Sequence, residues 1–233
     1  MNLKYGLSLR PYGNSSDTYL DKVTVLYGFE DTDLSSGVNN EGSLADGTVT
    51  DSGVAVTTSA HYAGSQCAAF NQNGTNKGIL VGTVADVLGS GDYTVEGWIK
   101  DPGGNRFMIF SSGTSNSSRF NLLGTAKLGI ALTEAAAVEP ASDANVWTAD
   151  EWFHFAFVYV ASTTTWCAYV DGTLVLSKTY TAPSSGNVYL GQDFASDTIA
   201  GPEYLDEVRI TKVARYSGAS FAVPDAPFPR SGS

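Results

Sequence analysis

Short runs of alternating hydrophobic and polar residues dominate the chain, and clusters of Gly, Asn, Asp and Ser separate them. A period of two is typical of β-strands, whose successive side chains point to opposite faces of a sheet. The run from Tyr93 to Ile99 follows this pattern, which leaves open which of its faces is buried. The pattern therefore predicts many short strands.

Two later runs, Trp152 to Val160 and Thr165 to Val170, are rich in aromatic and β-branched residues. Such residues fit a pleated, half-buried surface, so we expect two neighbouring strands. Asp171-Gly172 then precedes another alternating run, and this dipeptide suits a two-residue turn with positive φ at both centres. The pattern predicts a β-hairpin here.

Helical periodicity is weak throughout the chain. Ala135 to Val138 is the best candidate and ends at Pro140, although its Ala-rich spacing fits a loop at least as well. Val84 to Leu88 and Lys212 to Tyr216 are candidates for single turns. Many short strands without intervening helices predict an all-β fold, a two-sheet antiparallel β-sandwich of the jelly-roll type.

Composition supports a globular protein with few classes of partner. Of the 233 residues, 42% are hydrophobic, which is enough for a substantial core. The net charge of -11 repels phosphate backbones, so nucleic acid is not an expected partner. The apolar runs are far shorter than the roughly 20 residues that span a bilayer, so membrane insertion is not expected either.

The start of the chain and its cysteines indicate a cytoplasmic origin. Residues 1–11 lack the apolar segment of a cleavable secretion signal. Cys67 and Cys167 each lie in an apolar stretch. Free thiols are therefore favoured over a disulfide, as expected in a reducing cytoplasm.

The ends of the chain differ from its middle. Residues 1–22 are turn-forming and predict an N-terminal arm, residues 23–224 carry the strand pattern of a sandwich, and residues 225–233 predict an extended C-terminal tail rich in proline. In an assembly, such ends commonly contact a neighbouring subunit.

Four motifs, in order, resemble the laminin G-like, concanavalin A-like lectin-glucanase domain. They are Tyr93 to Ile99, Trp152 to Phe157, Tyr169 to Gly172 and Leu205 to Ile210. Segments upstream, at Phe29 to Asp31, Asp51 to Gly53 and Gly64 to Phe70, are similar to its opening strands. The ending, Ala214 to Tyr216 followed by Phe221 and Pro224, resembles the form found in bacteriophage virion proteins.

The resemblance implies two stacked antiparallel sheets of about a dozen strands. It also implies a structural or adhesive component of a virion, such as a capsid decoration, tail or fibre protein, assembled in the host cytoplasm. The expected partners are other virion proteins, a second copy of the chain and a host cell-surface glycan. The alternative is a calcium-dependent carbohydrate-binding lectin module, and a glycanase is the third.

An enzyme is not expected, and no catalytic residue is assigned. A retaining glycanase needs two carboxyl groups about 5 Å apart. The acidic cluster on a predicted strand is Glu203, Asp206 and Glu207, and alternation places Asp206 and Glu207 on opposite faces. Neither His61 nor His154 has the spacing of a metal site or a catalytic relay.

Calcium is the one cofactor that the resemblance allows, because relatives with this fold bind it through loop oxygens. The candidate ligands form two loop groups, Asp143, Asn145, Asp150 and Glu151 in one and Asn187, Asp193 and Asp197 in the other. The alternative is that these are solvated turn residues chosen for their backbone conformation.

A glycan site would need an exposed aromatic ring, and Trp147, Tyr189 and Tyr204 are the candidate platforms. Trp98 and Trp152 are assigned to the core, and the alternative for Trp147 is a ring folded back onto the sandwich.

Asp206 is a candidate for a structural role. Alternation places it on the face of Val208 and Ile210, opposite Arg209, and predicts a half-buried carboxylate bonded to loop amides.

Overall fold

Two antiparallel sheets face each other in the computed structural model, which describes residues 17–30, 37–49, 54–60, 62–70, 78–102, 107–114, 118–123, 126–131, 141–142, 145–191 and 203–230. The strands in these ranges are β1 Val23–Tyr27, β2 Thr48–Val49, β3 Val54–Thr57, β4 Cys67–Phe70, β5 Ile79–Thr83, β6 Tyr93–Lys100, β7 Phe107–Gly113, β8 Ser118–Leu123, β9 Lys127–Ala131, β10 Trp152–Val160, β11 Thr165–Val170, β12 Thr173–Thr179, β13 Asn187–Leu190 and β14 Glu203–Thr211. A short helix, α1, spans Val84–Val87, and 3-10 turns span Leu20–Lys22 and Ala161–Thr163.

Among the described residues, one sheet has eight strands and the other has six. The larger runs β12-β11-β10-β6-β14-β4-β3, with β1 also paired to β14, and the smaller runs β2-β5-β13-β7-β8-β9. Every pair of neighbouring strands is antiparallel. The predicted two-sheet β-sandwich is confirmed.

The core lies between the two sheets and is lined with aromatic rings. Phe120 of the smaller sheet stacks on Phe157 of the larger one, with ring centroids 3.8 Å apart. Val95 and Ile99 of β6 are fully buried in the same cluster. The inner face of β6 is therefore the one that carries Tyr93, Val95 and Ile99, which the alternation left undecided.

The local predictions near tight turns are mostly confirmed. β11 and β12 form the expected hairpin, with φ of 45° at Asp171 and 73° at Gly172. The single turn predicted from Val84 is α1, and the Thr83 hydroxyl caps it by accepting from the Asp86 amide. No helix forms at Lys212 to Tyr216, where that prediction is wrong. The candidate helix at Ala135 to Val138 lies outside the described residues.

Trp98 is buried, as its assignment to the core predicted, whereas the assignment of Trp152 to the core is wrong. Both belong to the outer face of the eight-stranded sheet, in phase with Glu96 and Lys100 and opposite to Ile99. Trp98 is buried there because Tyr62 stacks on it, and Trp152 stays half-buried.

A β-bulge overturns the predicted faces of β14. The register shifts between Asp206 and Arg209, and Glu207 has a φ of 49°. The extra residue breaks the alternation. Val208 therefore lies in the core, whereas Asp206 pairs with Trp98 and Arg209 with Glu96 on the outer face.

Both cysteines are free, as predicted. Cys67 is buried, its thiol donates to the Ala60 carbonyl, and burial, reinforced by Asp206, raises its pKa to about 12. Cys167 is half-buried beside the Ser177 hydroxyl.

The described parts of the predicted arm and tail lie against the sandwich. Asp17 contacts Arg209 and Arg215, and Phe228 is buried against Val23 and Leu26. The boundaries of arm and tail stay a prediction. Within the described ranges, no helix is both long and apolar enough to cross a membrane.

Candidate functional site

The outer face of the eight-stranded sheet has two unlike halves. The covered half, around Thr94 and Glu96, lies beneath residues 212–230 and Asp17. The open half, around Lys100 at the other end of β6, carries half-buried side chains instead.

The covered half is organised by one fully buried carboxylate. Glu96 Oε1 accepts from Arg209 Nε at 3.0 Å and from Arg209 Nη2 at 2.8 Å. Its Oε2 accepts from the Tyr216 hydroxyl at 2.6 Å and lies 3.5 Å from His154 Nε2. Asp17 then bridges both arginines, at 2.9 Å from Arg209 Nη1 and 2.8 Å from Arg215 Nη2. These contacts stabilise the buried charges, because each carboxylate is hydrogen-bonded to at least one guanidinium group.

The pKa values in the covered half follow from this pairing. Burial alone raises the pKa of Glu96, but Arg209, His154 and Arg215 outweigh it and hold the pKa at about 2. Burial, followed by the charge of Glu96, raises the pKa of Tyr216 far above its usual range. Glu96 is thus an ionised carboxylate at neutral pH and Tyr216 a neutral donor to it.

The open half is built on a row of directly opposed residues from three strands. Trp152 of β10 and Tyr204 of β14 each lie opposite Lys100 of β6. Opposed residues share a face, so the two rings flank the lysine. Ala69 and Ala55 continue the row beyond Tyr204 with small side chains.

Tyr62 and Asp150 complete the open half. The Tyr62 ring stacks on Trp98, with centroids 3.6 Å apart, and meets Trp152 edge-on at 6.4 Å. Lys100 Nζ lies 2.9 Å from Asp150 Oδ1. Burial, then the charges of Asp225, Glu207 and Asp206, raise the pKa of Tyr62. The open half thus presents three aromatic rings and a lysine whose charge is paired with that of Asp150. Acidic side chains lie near Tyr62 at its edge.

The predicted site residues are dispersed over the molecule. Tyr204 and Asp150 meet at the open half through Lys100. Trp147 is 9% exposed and stacks on Phe153, so its ring is folded back onto the sandwich. Tyr189 lies on the other sheet, half-buried, where its hydroxyl accepts from the Asn187 amide at 3.2 Å.

The predicted calcium ligands are not all within the described residues. Asp143, Asp193 and Asp197 lie outside them, while Asn145 and Glu151 are exposed. Among the residues that are described, no group of three His, Cys, Asp or Glu side chains is placed to hold a metal ion. Calcium binding stays a prediction.

Two further acidic residues of β14 have contrasting surroundings. Asp206 Oδ2 accepts from the Tyr62 and Ala63 amides at 2.8 and 2.9 Å, which confirms the predicted bonds to loop amides. Burial, with Glu207 nearby, still raises the pKa of Asp206 to about 7. Glu203 Oε2 has no hydrogen-bond partner among the described residues. Burial and the charge of Asp101 raise the pKa of Glu203 to about 8.

Sequence reasoning missed Trp152, Lys100 and Tyr62 as surface residues. Lys100 shares the phase of Glu96 and Trp98, so deciding which face of β6 is buried would have found it, whereas Trp152 joins this face only through the pairing of β10 with β6. Tyr62 carried no such signal, because it lies in a loop and reaches the sheet only through its stacking on Trp98.

One family model matches the chain in sequence. It describes the concanavalin A-like lectin/glucanases superfamily and matches residues 73–217. The chain belongs to this superfamily. No curated protein matches it in sequence.

Solved structures share the superfamily fold with this chain. A sialidase from Trypanosoma rangeli is 11% identical, with a TM-score of 0.60, over 84% of this chain and 31% of that one. Domain 4 of AbnA, a GH43 extracellular arabinanase from Geobacillus stearothermophilus, in complex with arabinotriose, is 20% identical, with a TM-score of 0.58, over 86% of this chain and 94% of that one. The chain thus spans about a third of the length of the sialidase and nearly all of the arabinanase domain.

These comparisons contradict the expectation that the protein is not an enzyme. The matched solved structures include sialidases and an arabinanase domain, so this superfamily fold occurs within glycoside-cleaving enzymes. At these identities the likeness shows the fold alone. The chain is therefore a lectin/glucanase-like sandwich with carbohydrate-binding or glycosidase neighbours, and the comparisons do not bear on a virion.

Proposed function

We propose that the chain is a carbohydrate-binding domain and that the open half holds an uncharged glycan. The observation that carries this proposal is the row Trp152–Lys100–Tyr204, in which two half-buried aromatic rings flank a lysine on the outer face.

The spacing of the rings suits a sugar chain. Neighbouring strands lie about 4.8 Å apart, so side chains two strands apart are roughly 10 Å from each other. That distance is on the order of a disaccharide. Trp152 and Tyr204 therefore stack on two units of one chain that are separated by a third unit, while Lys100 between them donates to hydroxyl oxygens.

The rigidity of the surface also favours binding. Trp152 and Lys100 sit on strands that pair along their whole length, from Trp152↔Lys100 to Tyr159↔Tyr93. Tyr62 is fixed by its stacking on Trp98. Rings that are already ordered lose little conformational entropy when a ligand binds.

Charge selects the class of glycan. Asp150 pairs with Lys100, and Asp206, Glu207 and Asp225 border Tyr62. The chain as a whole carries a net charge of -11. An anionic sugar would meet repulsion at this surface, so neutral glycans are the expected ligands.

The test is a binding assay with neutral and acidic probes. Arabinotriose is the first neutral probe, because an arabinanase domain with the same fold is in complex with it. Neutral oligosaccharides of glucose, xylose and galactose follow, with sialyllactose as the acidic probe, each titrated by calorimetry against the wild type, Trp152→Ala and Tyr204→Ala.

Tyr180→Ala is the matched control, because Tyr180 is an aromatic residue 39% exposed that lies outside the row and uses its backbone in its hydrogen bonds. The proposal expects a neutral oligosaccharide to bind, each row variant to lose about tenfold or more in affinity, and Tyr180→Ala to match the wild type. Binding of sialyllactose alone, or unchanged affinity in both row variants, would contradict it.

The virion role stays a prediction. Two of the residues that suggested it, Tyr216 and Phe221, stack on each other at 3.6 Å, and Tyr216 donates to Glu96, so both have a structural role within this chain. Co-sedimentation of the protein with phage particles would support the virion role, and its absence from purified particles would count against it.

A further inference from the structure

Asp150, the partner of Lys100 in the open half, has an unfavourable backbone conformation. Its φ is 64°, in the left-handed region that few residues other than glycine adopt. It is the third residue of a turn that the Glu151 amide closes by donating to the Thr148 carbonyl at 3.4 Å. Turns with positive φ at the third residue favour glycine or asparagine there. The turn itself therefore gives no reason for an aspartate.

A hydrogen bond ties Asp150 to the end of β6. The Asp150 amide donates to the Asp101 carbonyl at 2.7 Å, and Asp101 is buried. Asp101 directly follows Lys100, the last residue of β6. The backbone of Asp150 is thus fixed beside Lys100 before any ligand arrives, which lowers the entropic cost of binding.

The ion pair with Lys100 does not account for the aspartate either. Lys100 Nζ lies 2.9 Å from Asp150 Oδ1, but the Asp150 side chain is 71% exposed. An ion pair that is this exposed contributes little to stability. A residue in an unfavourable conformation that stabilises the fold so little is typical of a functional site.

The pair places a donor group beside an acceptor group. The ammonium of Lys100 can only donate hydrogen bonds, and the carboxylate of Asp150 can only accept them. Two hydroxyl groups on adjacent carbon atoms of a sugar have a similar separation, and each can donate or accept. We propose that Asp150 accepts a hydrogen bond from one such hydroxyl while Lys100 donates to the other. Hydrogen bonds to charged groups are stronger than those between neutral groups.

This inference rests on the proposed function and defines its ligand more closely. Lys100 lies between Trp152 and Tyr204, so it faces the sugar unit between the two stacked units. That central unit must carry two adjacent free hydroxyl groups. The expected ligands are therefore linear neutral oligosaccharides of three units or more with a free pair of adjacent hydroxyls on the central unit.

Two substitutions of Asp150 separate binding from structure. Asp150→Gly removes the carboxylate and suits the φ of 64°, so its melting temperature should equal or exceed that of the wild type. Asp150→Asn tolerates the same backbone and keeps one acceptor oxygen without the charge. Glu151→Gln is the matched control, because it removes the same charge from an exposed neighbour in the same turn.

The experiment titrates linear trisaccharides of arabinose, xylose, glucose and galactose by calorimetry, each with two adjacent free hydroxyls on its central unit. We expect at least one to bind the wild type and Glu151→Gln equally, about tenfold or more weakly to Asp150→Gly, and with intermediate affinity to Asp150→Asn. The same trisaccharide with one of these hydroxyls replaced by hydrogen should lose affinity for the wild type but not for Asp150→Gly.

The outcomes separate this inference from the proposed function. Binding that depends on Trp152 and Tyr204 but is equal in the wild type and Asp150→Gly would overturn the inference alone. Binding that EDTA abolishes in the wild type would also overturn it, because Asp150 would then act through a cation. No binding of any of the four trisaccharides at about 10 mM would overturn both.

Discussion

The covered and open halves of the outer face of the eight-stranded sheet differ in how deeply their charged side chains are buried. In the covered half, Glu96 is fully buried and meets Arg209 and Tyr216 in hydrogen bonds. In the open half, Lys100 keeps 21% of its side chain exposed and pairs with Asp150, which is 71% exposed. The same strand, β6, supplies Glu96 and Lys100.

The covering segment of the chain determines whether an outward-facing residue of this sheet is buried in an ion pair or left accessible. A buried ion pair is costly to break, because removing one partner leaves an uncompensated charge. An exposed pair contributes little to stability and leaves its atoms free for a ligand. The covered half therefore holds residues 212–230 and Asp17 to the sheet, while the open half is available for binding.

The largest expected effect comes from breaking the covered half. Arg209→Ala removes both guanidinium bonds to Glu96 Oε1 and one partner of Asp17. We expect the free energy of unfolding to fall by about 3 to 5 kcal/mol, as for other buried ion pairs that lose one member. Urea unfolding at pH 7 measures this, and a loss below about 1 kcal/mol would show that the covered half is not held by charge pairing.

Asp206→Ala should have the next largest effect. It removes the acceptor of the Tyr62 and Ala63 amides, and leaving these amides unsatisfied costs about 1 to 3 kcal/mol. The melting temperature should therefore fall. Asp206→Asn, which retains an acceptor oxygen, should lose less, and an unchanged melt in Asp206→Ala would remove the structural role.

Glu203 offers the opposite case, a buried carboxylate without a partner for Oε2 among the described residues. Its pKa is raised from 4.5 to about 8, so the folded state binds a proton more tightly than the unfolded state. Stability should then decrease as pH rises from about 4.5 to 8.

Glu203→Gln should flatten that decrease and raise stability at pH 8 by about 1 to 2 kcal/mol. Urea unfolding at pH 5 and pH 8 tests this. Equal destabilisation at both pH values would argue that Glu203 is ionised and bonded in the folded protein.

The smallest effect on stability belongs to the open half. Trp152 is half-buried and lies outside the core cluster, so Trp152→Ala should cost less than about 1.5 kcal/mol. A loss comparable to that of Arg209→Ala would mean that the two halves do not differ as described.

Strands and hairpin follow from patterns that are local in sequence. The alternation from Tyr93 to Ile99 marks β6, and Asp171-Gly172 marks the turn after β11, because side-chain phase and positive φ depend on neighbouring residues. The superfamily motifs add the expectation of two stacked antiparallel sheets. These features were predictable without coordinates.

The two halves depend on contacts between distant residues, which no local pattern contains. Lys100, Trp152 and Tyr204 form one row only after β6, β10 and β14 pair. The bulge at Glu207 places Asp206 on the opposite face from the predicted one. The residue with positive φ is Glu207 itself and not a glycine, so the sequence carries no signal for the bulge. The burial of Glu96 depends on Tyr216, which lies 120 residues further along the chain.

Mapping a bound neutral oligosaccharide by amide chemical shifts shows whether the glycan lies on the open half of the sheet. We expect the largest shifts at Lys100, Trp152 and Tyr204, with little change near Glu96 and Arg209. Largest shifts on the other sheet, around Tyr189, or within the covered half would contradict it.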